Sequence, residues 1–521
     1  MKNIKLSKYL ALFIFFSFQL SSLIGQQAPE IMWDKTFGES VYDSLFSMQQ
    51  TSDGGYILAG TLGDPTWLET SDVNYDYQDY WIIKLDGTGS KVWDKNFGGS
   101  FDDRATSIQQ TSDGGYIVGG SSRTRAIDGG NPECLIVKLD ADGNKVWDKI
   151  LSGSSADQLN SIQQTSDRGY VVAGSTTSND GDVSDGNNGW WDYWVVKLDA
   201  DGNKVWDKTF GGSLADQLNS IQQTADGGYV LAGSTKSDDG DVGDGNNGAM
   251  DYWIVKLDGS GNKVWDKTYG GSKSDLVNSI QQTSDGGYIV SGHTWSDDGD
   301  LSDGNNGEND YWIIKLDNVG NKVWDKTYGG SGNDYATSIQ QTSDGGYIVA
   351  GTTSSSDGDI TDVNNGESDY WIIKLDESGN KVWDKTLGGS DSDNATSIQQ
   401  NSEGGHIIAG YTKSSDGDIT DGNNGGSDFW IIKLGPETPS NVNKIETENM
   451  FSLYPNPAKS QVIVKTNALE ALEQVLITDM TGKIVKQFET QKSTTEIDVS
   501  NLVNGIYFVK AAGGSKKLVK K

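Results

Sequence analysis

Short apolar runs punctuated by turn-forming residues recur along most of this chain. The unit beginning at Asn278 shows the pattern. Ser279-Ile-Gln-Gln-Thr283 reads as a short strand, and Asp285-Gly286-Gly287 as a tight turn that tolerates positive φ. Tyr288-Ile-Val-Ser-Gly292, rich in β-branched residues, predicts a second strand. A long polar loop, Ser296 to Asn309, precedes a third strand, Tyr311-Trp-Ile-Ile-Lys-Leu316. Asp317 to Asn321 makes a second hairpin turn, and Lys322-Val-Trp-Asp-Lys-Thr-Tyr328 a fourth strand.

This unit is repeated. The Trp of Val-Trp-Asp-Lys, or Met-Trp-Asp-Lys in the first copy, falls at 33, 93, 147, 206, 265, 324 and 383. The steps are 60, 54 and then 59 residues throughout. Four antiparallel strands per repeat is the unit of a β-propeller blade, which cannot bury both faces alone. The first copy begins with a lone fourth strand, Ile31 to Phe37, and the last ends after strands one to three, Ser397 to Leu434. The expected fold is therefore an all-β, seven-bladed propeller whose N-terminal strand completes the last blade. In blade two the long loop is shortened, and Cys134-Leu135 replace the usual Tyr-Trp of the third strand.

Composition narrows the function. Net charge is −33 with only four arginines, Arg104, Arg123, Arg125 and Arg168, which excludes a nucleic-acid surface. Cys134 is the single cysteine, so neither an intramolecular disulfide nor a cysteine zinc cluster can form. Lys2, Lys5 and Lys8 before the apolar run Tyr9 to Leu20 predict a signal peptide over residues 1–25, with no transmembrane segment in the mature protein. The propeller is assigned to 26–434, a linker to 435–449, and a second domain to 450–521. From Asn441 onward 11 Lys against 8 Asp plus Glu make the chain mildly basic.

Phe451-Ser-Leu-Tyr454-Pro455-Asn456-Pro457-Ala458 resembles the opening of type IX secretion C-terminal sorting domains of Bacteroidota. The segment around Gly482, the run containing Gly505 and Tyr507, and the terminal Lys516-Lys517 resemble the family's later motifs in order. The resemblance covers roughly the last 70 residues. It implies an Ig-like β-sandwich, export across the inner and outer membranes by the type IX machinery, removal of the domain, and attachment to surface polysaccharide.

Three sets of residues carry candidate chemistry. Five of the long loops share an Asp-Gly-Asp-x-x-Asp-Gly-Asn-Asn-Gly pattern or a close variant. Their acids are Asp180, Asp182 and Asp185; Asp239, Asp241 and Asp244; Asp298, Asp300 and Asp303; Asp357, Asp359 and Asp362; and Asp416, Asp418 and Asp421. Alternating carboxylates on a curling, glycine-containing chain suit calcium, which takes six to eight oxygens, although no closing Glu follows as in an EF-hand. The alternative is that Asp-Gly and Asn-Gly only make turns. A second series, Asp43, Asp103, Asp157, Asp216, Asp275, Asp334 and Asp393, follows the fourth strand in every unit, and its sevenfold repetition points to a structural role in accepting backbone N–H groups. Third, Trp67, Trp190, Trp191 and Trp295 fall outside the repeated strand positions and could stack on sugar rings or anchor a protein.

Enzyme signatures are weaker. His293 and His406 lie in different blades without a nucleophile motif, and the repeated aspartates offer no asymmetric acid pair. Thr-Ser-Asp-Gly-Gly-Tyr loosely resembles the Asp-box of sialidases, and Leu-Asp-x-x-Gly-Asn-Lys-Val-Trp the Trp-docking motif of quinoprotein dehydrogenases. The scarcity of arginine and the lone cysteine argue against both activities, and no quinone or nucleotide cofactor is expected. The expectation is a secreted or surface-exposed, non-catalytic propeller that binds a glycan or protein. A secreted polysaccharide-active enzyme and a structural surface-layer protein are the alternatives.

Overall fold

The computed structural model describes residues 27–39, 42–63, 78–99, 101–123, 130–437, 451–466, 474–479, 483–490, 492, 494–511 and 514–521. The expected signal peptide, most of the expected linker, Trp67 and Gly482 lie outside the described residues. The chain divides into two compact units, one spanning Gly25–Thr438 and the other holding Pro439–Lys521.

The first unit is a ring of seven four-stranded antiparallel sheets. Six are built from consecutive strands; in blade four these are Asp216–Gln223, Tyr229–Thr235, Asp251–Leu257 and Lys263–Tyr269. The seventh joins Asp393–Gln400, His406–Thr412 and Asp428–Leu434 to the N-terminal strand Ile31–Phe37. That strand runs antiparallel to Asp428–Leu434 with Ile31 opposite Leu434 and Phe37 opposite Phe429. The ring is thus closed by the first strand, as the lone fourth strand predicts.

Burial explains the strand compositions. In blade four the second and third strands are buried at every position, so they read as unbroken apolar runs. The outermost strand begins exposed at Lys263 and Val264 and becomes buried only at its end, Thr268 and Tyr269. Aromatic pairs glue each blade to the next. Tyr193 stacks on Trp253 with ring centroids 4.5 Å apart, and its hydroxyl donates to Trp253 O at 3.0 Å. The pairs Tyr252–Trp312, Tyr311–Trp371 and Tyr370–Trp430 repeat this at 4.6–4.7 Å. Where blade two has Cys134-Leu135, Tyr80 donates to Leu135 O instead, and Cys134 is buried in the core. The fourth-strand Trp206 meets Tyr229 of the next blade edge-on at 5.9 Å. It also lies beneath the hairpin glycine Gly261, whose φ of +82° requires glycine.

The Asp of Val-Trp-Asp-Lys fastens the long loop to its own blade. Asp207 Oδ2 accepts from Ser184 N at 2.7 Å and from Trp194 Nε1 at 3.3 Å. In the closing blade Asp34 does the same work across the seam, accepting from Thr420 N at 2.9 Å and Trp430 Nε1 at 3.2 Å.

The second unit is a small β-sandwich. One sheet holds Phe451–Tyr454, Gln461–Thr466 and Thr494–Asp498; the other holds Ile484–Glu489, Gln474–Thr478, Gly505–Ala511 and Gly514–Lys520. Phe451, Val462, Val475, Ile477, Ile497, Val509 and Leu518 fill the space between them.

Candidate functional site

The long second-to-third loops and the fourth-to-first connections share one face of the ring. In the five loops that carry the Asp-Gly-Asp pattern the acids turn to the chain itself. Asp239 Oδ1 accepts from Ser213 N at 2.7 Å, and Asp241 Oδ2 from Gly211 N at 3.3 Å. Asp244 forms an ion pair with Lys267 at 3.0 Å. Asp180, Asp298, Asp357 and Asp416 repeat the first contact, and Asp182, Asp300, Asp359 and Asp418 the second. Asp185, Asp303 and Asp421 repeat the ion pair, while Asp362 accepts from Val363 N. The three acids of each loop therefore diverge toward different partners. Among the described residues no three His, Cys, Asp or Glu side chains converge as a metal site.

Beneath these loops lies the series of Asp residues that opens each first strand. Asp216 is fully buried and accepts from Gly212 N at 2.8 Å, Ser237 Oγ at 2.9 Å and Thr235 Oγ1. A second buried carboxyl, missed in the sequence, stands beside it. Asp192 accepts from Asn188 N at 2.6 Å through Oδ2, while its buried Oδ1 has no hydrogen-bond partner among the described residues. A Cβ on Gly211 would sit 2.8 Å from Asp216 Oδ2 and closer still to Asp192 Oδ1, so both oxygens crowd one spot. Burial, reinforced by the charges of Asp216 and Asp241, pushes the Asp192 carboxyl up to about 7. Asp251, Asp310 and Asp369 stand in the same place and reach the same value from burial and their own Asp neighbours. Because these groups recur blade after blade, their perturbed acidity belongs to the joint between blades.

The repeats also differ on the loop face, at positions that flank these joints. Trp190, in blade three, donates its backbone N–H to Leu214 O, and the matching contact one blade on is Ala249 to Lys273. Trp295 donates to Ser274 O, where blade four has Lys236 to Ala215. Trp190 is 74% exposed, Trp295 50% and Leu214 43%. Trp191, next to Trp190, is half-buried and opens a bridge to Ala215. The structure thus places Trp190 and Trp295 outward on one face, on loops two blades apart.

The opposite, hairpin face surrounds an open axial cavity of about 260 Å³. Its wall is a ring of Met48 and six isoleucines, Ile108 to Ile398, followed by a ring of seven glutamines. Gln49 Oε1 accepts from Gln110 N of the next blade at 2.6 Å. The same bond runs through Gln109, Gln163, Gln222, Gln281 and Gln340, at 2.5–2.7 Å, to Gln399, which accepts from Gln50 N and closes the circle. The second glutamine of each pair reaches back: Gln110 Oε1 accepts from Ser52 N of the preceding blade at 2.8 Å, and Gln50 from Ser402 N at 3.1 Å. These rings were written in the sequence as a strand end, Ile-Gln-Gln, and their exact recurrence in six units was the available signal.

In the C-terminal unit Asn456 clasps the last strand, donating to Lys517 O at 2.6 Å and accepting from Val519 N at 2.8 Å. Tyr454, Pro455 and Pro457 flank it, Gly505 opens a strand, Tyr507 donates to Val503 O, and Lys516 lies over the Phe451 ring.

Two kinds of likeness to known proteins accompany these geometries. The ring makes the chain a β-propeller protein, and residues 452–521 match the secretion system C-terminal sorting domain family. The chain is accordingly a cargo of the type IX secretion machinery, exported to the cell surface or extracellular space. It is 23% identical to the regulatory protein FlaEY of Caulobacter vibrioides over 296 residues, which cover 52% of this chain and 30% of that protein's own length. Similar solved structures include the Pan2 WD40 domain of Neurospora crassa, at 10% identity and TM-score 0.41, covering 77% of this chain and 100% of that one. Another is PorZ, a surface component of the type-IX secretion system of Porphyromonas gingivalis, at 11% identity and TM-score 0.20, covering 92% and 81%. Among the described residues no helix is long and apolar enough to cross a membrane.

Proposed function

We propose that this exported propeller is a non-catalytic binding protein whose loop face takes a glycan through tryptophan stacking. The observation that carries the reading is the outward display of Trp190, 74% exposed beside the exposed Leu214, on a face whose remaining groups mostly build the ring. An indole held on a fixed backbone presents a flat apolar surface at low entropic cost, which suits the C–H face of a sugar ring. Trp295 adds a second platform two blades away, a spacing that favours an extended chain of sugars over a single residue.

The test is binding of the full chain to a polysaccharide array, with and without a calcium chelator, alongside assay of released sugars. Binding that survives chelator, falls at least tenfold in Trp190→Ala and releases no product supports the reading. Unchanged binding in a Trp190→Ala/Trp295→Ala double variant overturns it. Release of sugars by the wild-type chain would instead establish the enzyme alternative.

A further inference from the structure

The geometry points to the axial cavity on the hairpin face as an oxyanion site, taking one carboxylate- or sulfate-bearing group through the glutamine ring. This site is independent of the tryptophan face. The argument rests on which half of each amide is already used. A backbone N–H can be accepted only by the oxygen of a glutamine amide, so the bonds to Gln110 N and its counterparts fix the orientation of every ring member. Each Oε1 is turned into the seam between blades. Each Nε2 is left with two N–H groups and no partner among the described residues, in a side chain that lines the cavity. Seven amides on one axis thus keep two free donors each, while one lone pair of every Oε1 is already taken by a seam N–H. Free donors outnumber the remaining acceptors, so an oxyanion finds donors around its circumference.

A second observation stands on the same face. Six blades place glycine at the positive-φ position of the first hairpin, among them Gly54, Gly114 and Gly227. Blade three places Arg168 there, at φ 68°. An L-residue in this region is disfavoured by roughly 1 kcal/mol or more, and such strain concentrates at ligand sites. The turn that carries Arg168 is fastened to the glutamine rings through Ser166 N, which donates to Gln223 Oε1 at 2.8 Å. Among the described residues its guanidinium has no ion-pair or hydrogen-bond partner. A cavity of about 260 Å³ accommodates a single sugar-sized group.

The test uses the full chain and isothermal titration with glucuronate, sulfate and neutral glucose. Glucuronate or sulfate is expected to bind one per chain, at least tenfold more tightly than glucose. Tighter glucuronate identifies a sugar acid as the source, and tighter sulfate an inorganic or sulfate-ester oxyanion. In Gln222→Glu/Gln340→Glu each side chain keeps an oxygen for the seam N–H but loses its donor, so binding should fall at least tenfold. Arg168→Gly should weaken binding severalfold while raising the melting temperature. Should the glutamate pair fail to fold, the side-chain NH2 resonances of glutamine-labelled wild-type protein provide the readout, shifting with glucuronate and not with glucose. Glucose binding as tightly as glucuronate, equal affinity in the glutamate pair, or no response to either anion would each overturn the proposal.

Discussion

Replacing Asp192 by asparagine should stabilise the ring, and by an amount that grows with pH. In the folded chain the Asp192 carboxyl is pushed from its ordinary 3.8 to about 7, first by burial and then by Asp216 and Asp241. Unfolding returns it to its ordinary value. The folded state therefore holds a proton that the unfolded state has lost between these two values, and stability declines as pH rises through that window. At about 1.4 kcal/mol per tenfold change in proton affinity, the full cost above pH 7 is roughly 4 kcal/mol, and at pH 5 roughly 2 kcal/mol. The amide of Asp192→Asn would carry no charge to bury. It would keep an oxygen for Asn188 N–H and turn its NH2 toward the crowded spot shared with Asp216. With an unfolding entropy of about 2 cal/mol/K per residue over a ring of roughly 400 residues, the gain corresponds to about 5 °C at pH 8 and about 2 °C at pH 5. Thermal denaturation of the full chain and of Asp192→Asn, followed by circular dichroism from pH 4 to pH 8.5, measures it. A melting-temperature gap that stays constant with pH, or favours wild type at pH 8, would refute the reasoning. Asp216→Asn is the contrast, expected to destabilise at all these values because it weakens acceptors for Gly212, Thr235 and Ser237.

Other outcomes follow from the same geometry. Gly270→Ala should cost about 2–4 kcal/mol, since its Cβ would collide with the buried Asp251 carboxyl, and the loss would appear as a lower urea midpoint. Asp34→Ala removes acceptors for Thr420 and Trp430 across the closing seam; a cost of about 2–4 kcal/mol and new protease cleavage in blade seven are expected. Chelator should leave the melting temperature within a degree, because the loop acids hold backbone N–H groups and lysines; a fall of several degrees would show that an ion shares them.

The number of blades and the way the ring closes were legible because they follow from counting Trp-containing fourth strands and finding one at the wrong end. The use of the loop acids was not. Asp239 meets Ser213, 26 residues earlier, and such partners lie at a distance along the chain that no local motif encodes. The glutamine pairs were equally visible and equally mute, because polar residues at a strand end look solvated until seven of them surround one axis. Trp190 and Trp191 are adjacent in sequence, and only the path of the loop decides that the first is exposed and the second half-buried. One joint does leave a readable trace of its packing: where the third strand opens with Glu133 in place of Asp, the crowded glycine of the other joints is Ser152. An added methylene on the acid and an added Cβ opposite it have changed together.

The seam in blade seven also sets limits on maturation. Its hydrogen-bonded register runs from Ile31 opposite Leu434 to Phe37 opposite Phe429, so closing the ring joins residues some 400 positions apart. Any processing of the exported chain must spare both halves of that clasp. Trimming N-terminal of Ile31, or release of the sorting domain beyond Leu434, leaves a sealed ring. A cut only a few residues inside either limit would strip a strand from the final blade, expose its neighbour's edge, and turn a closed module into an open array prone to pairing with another copy.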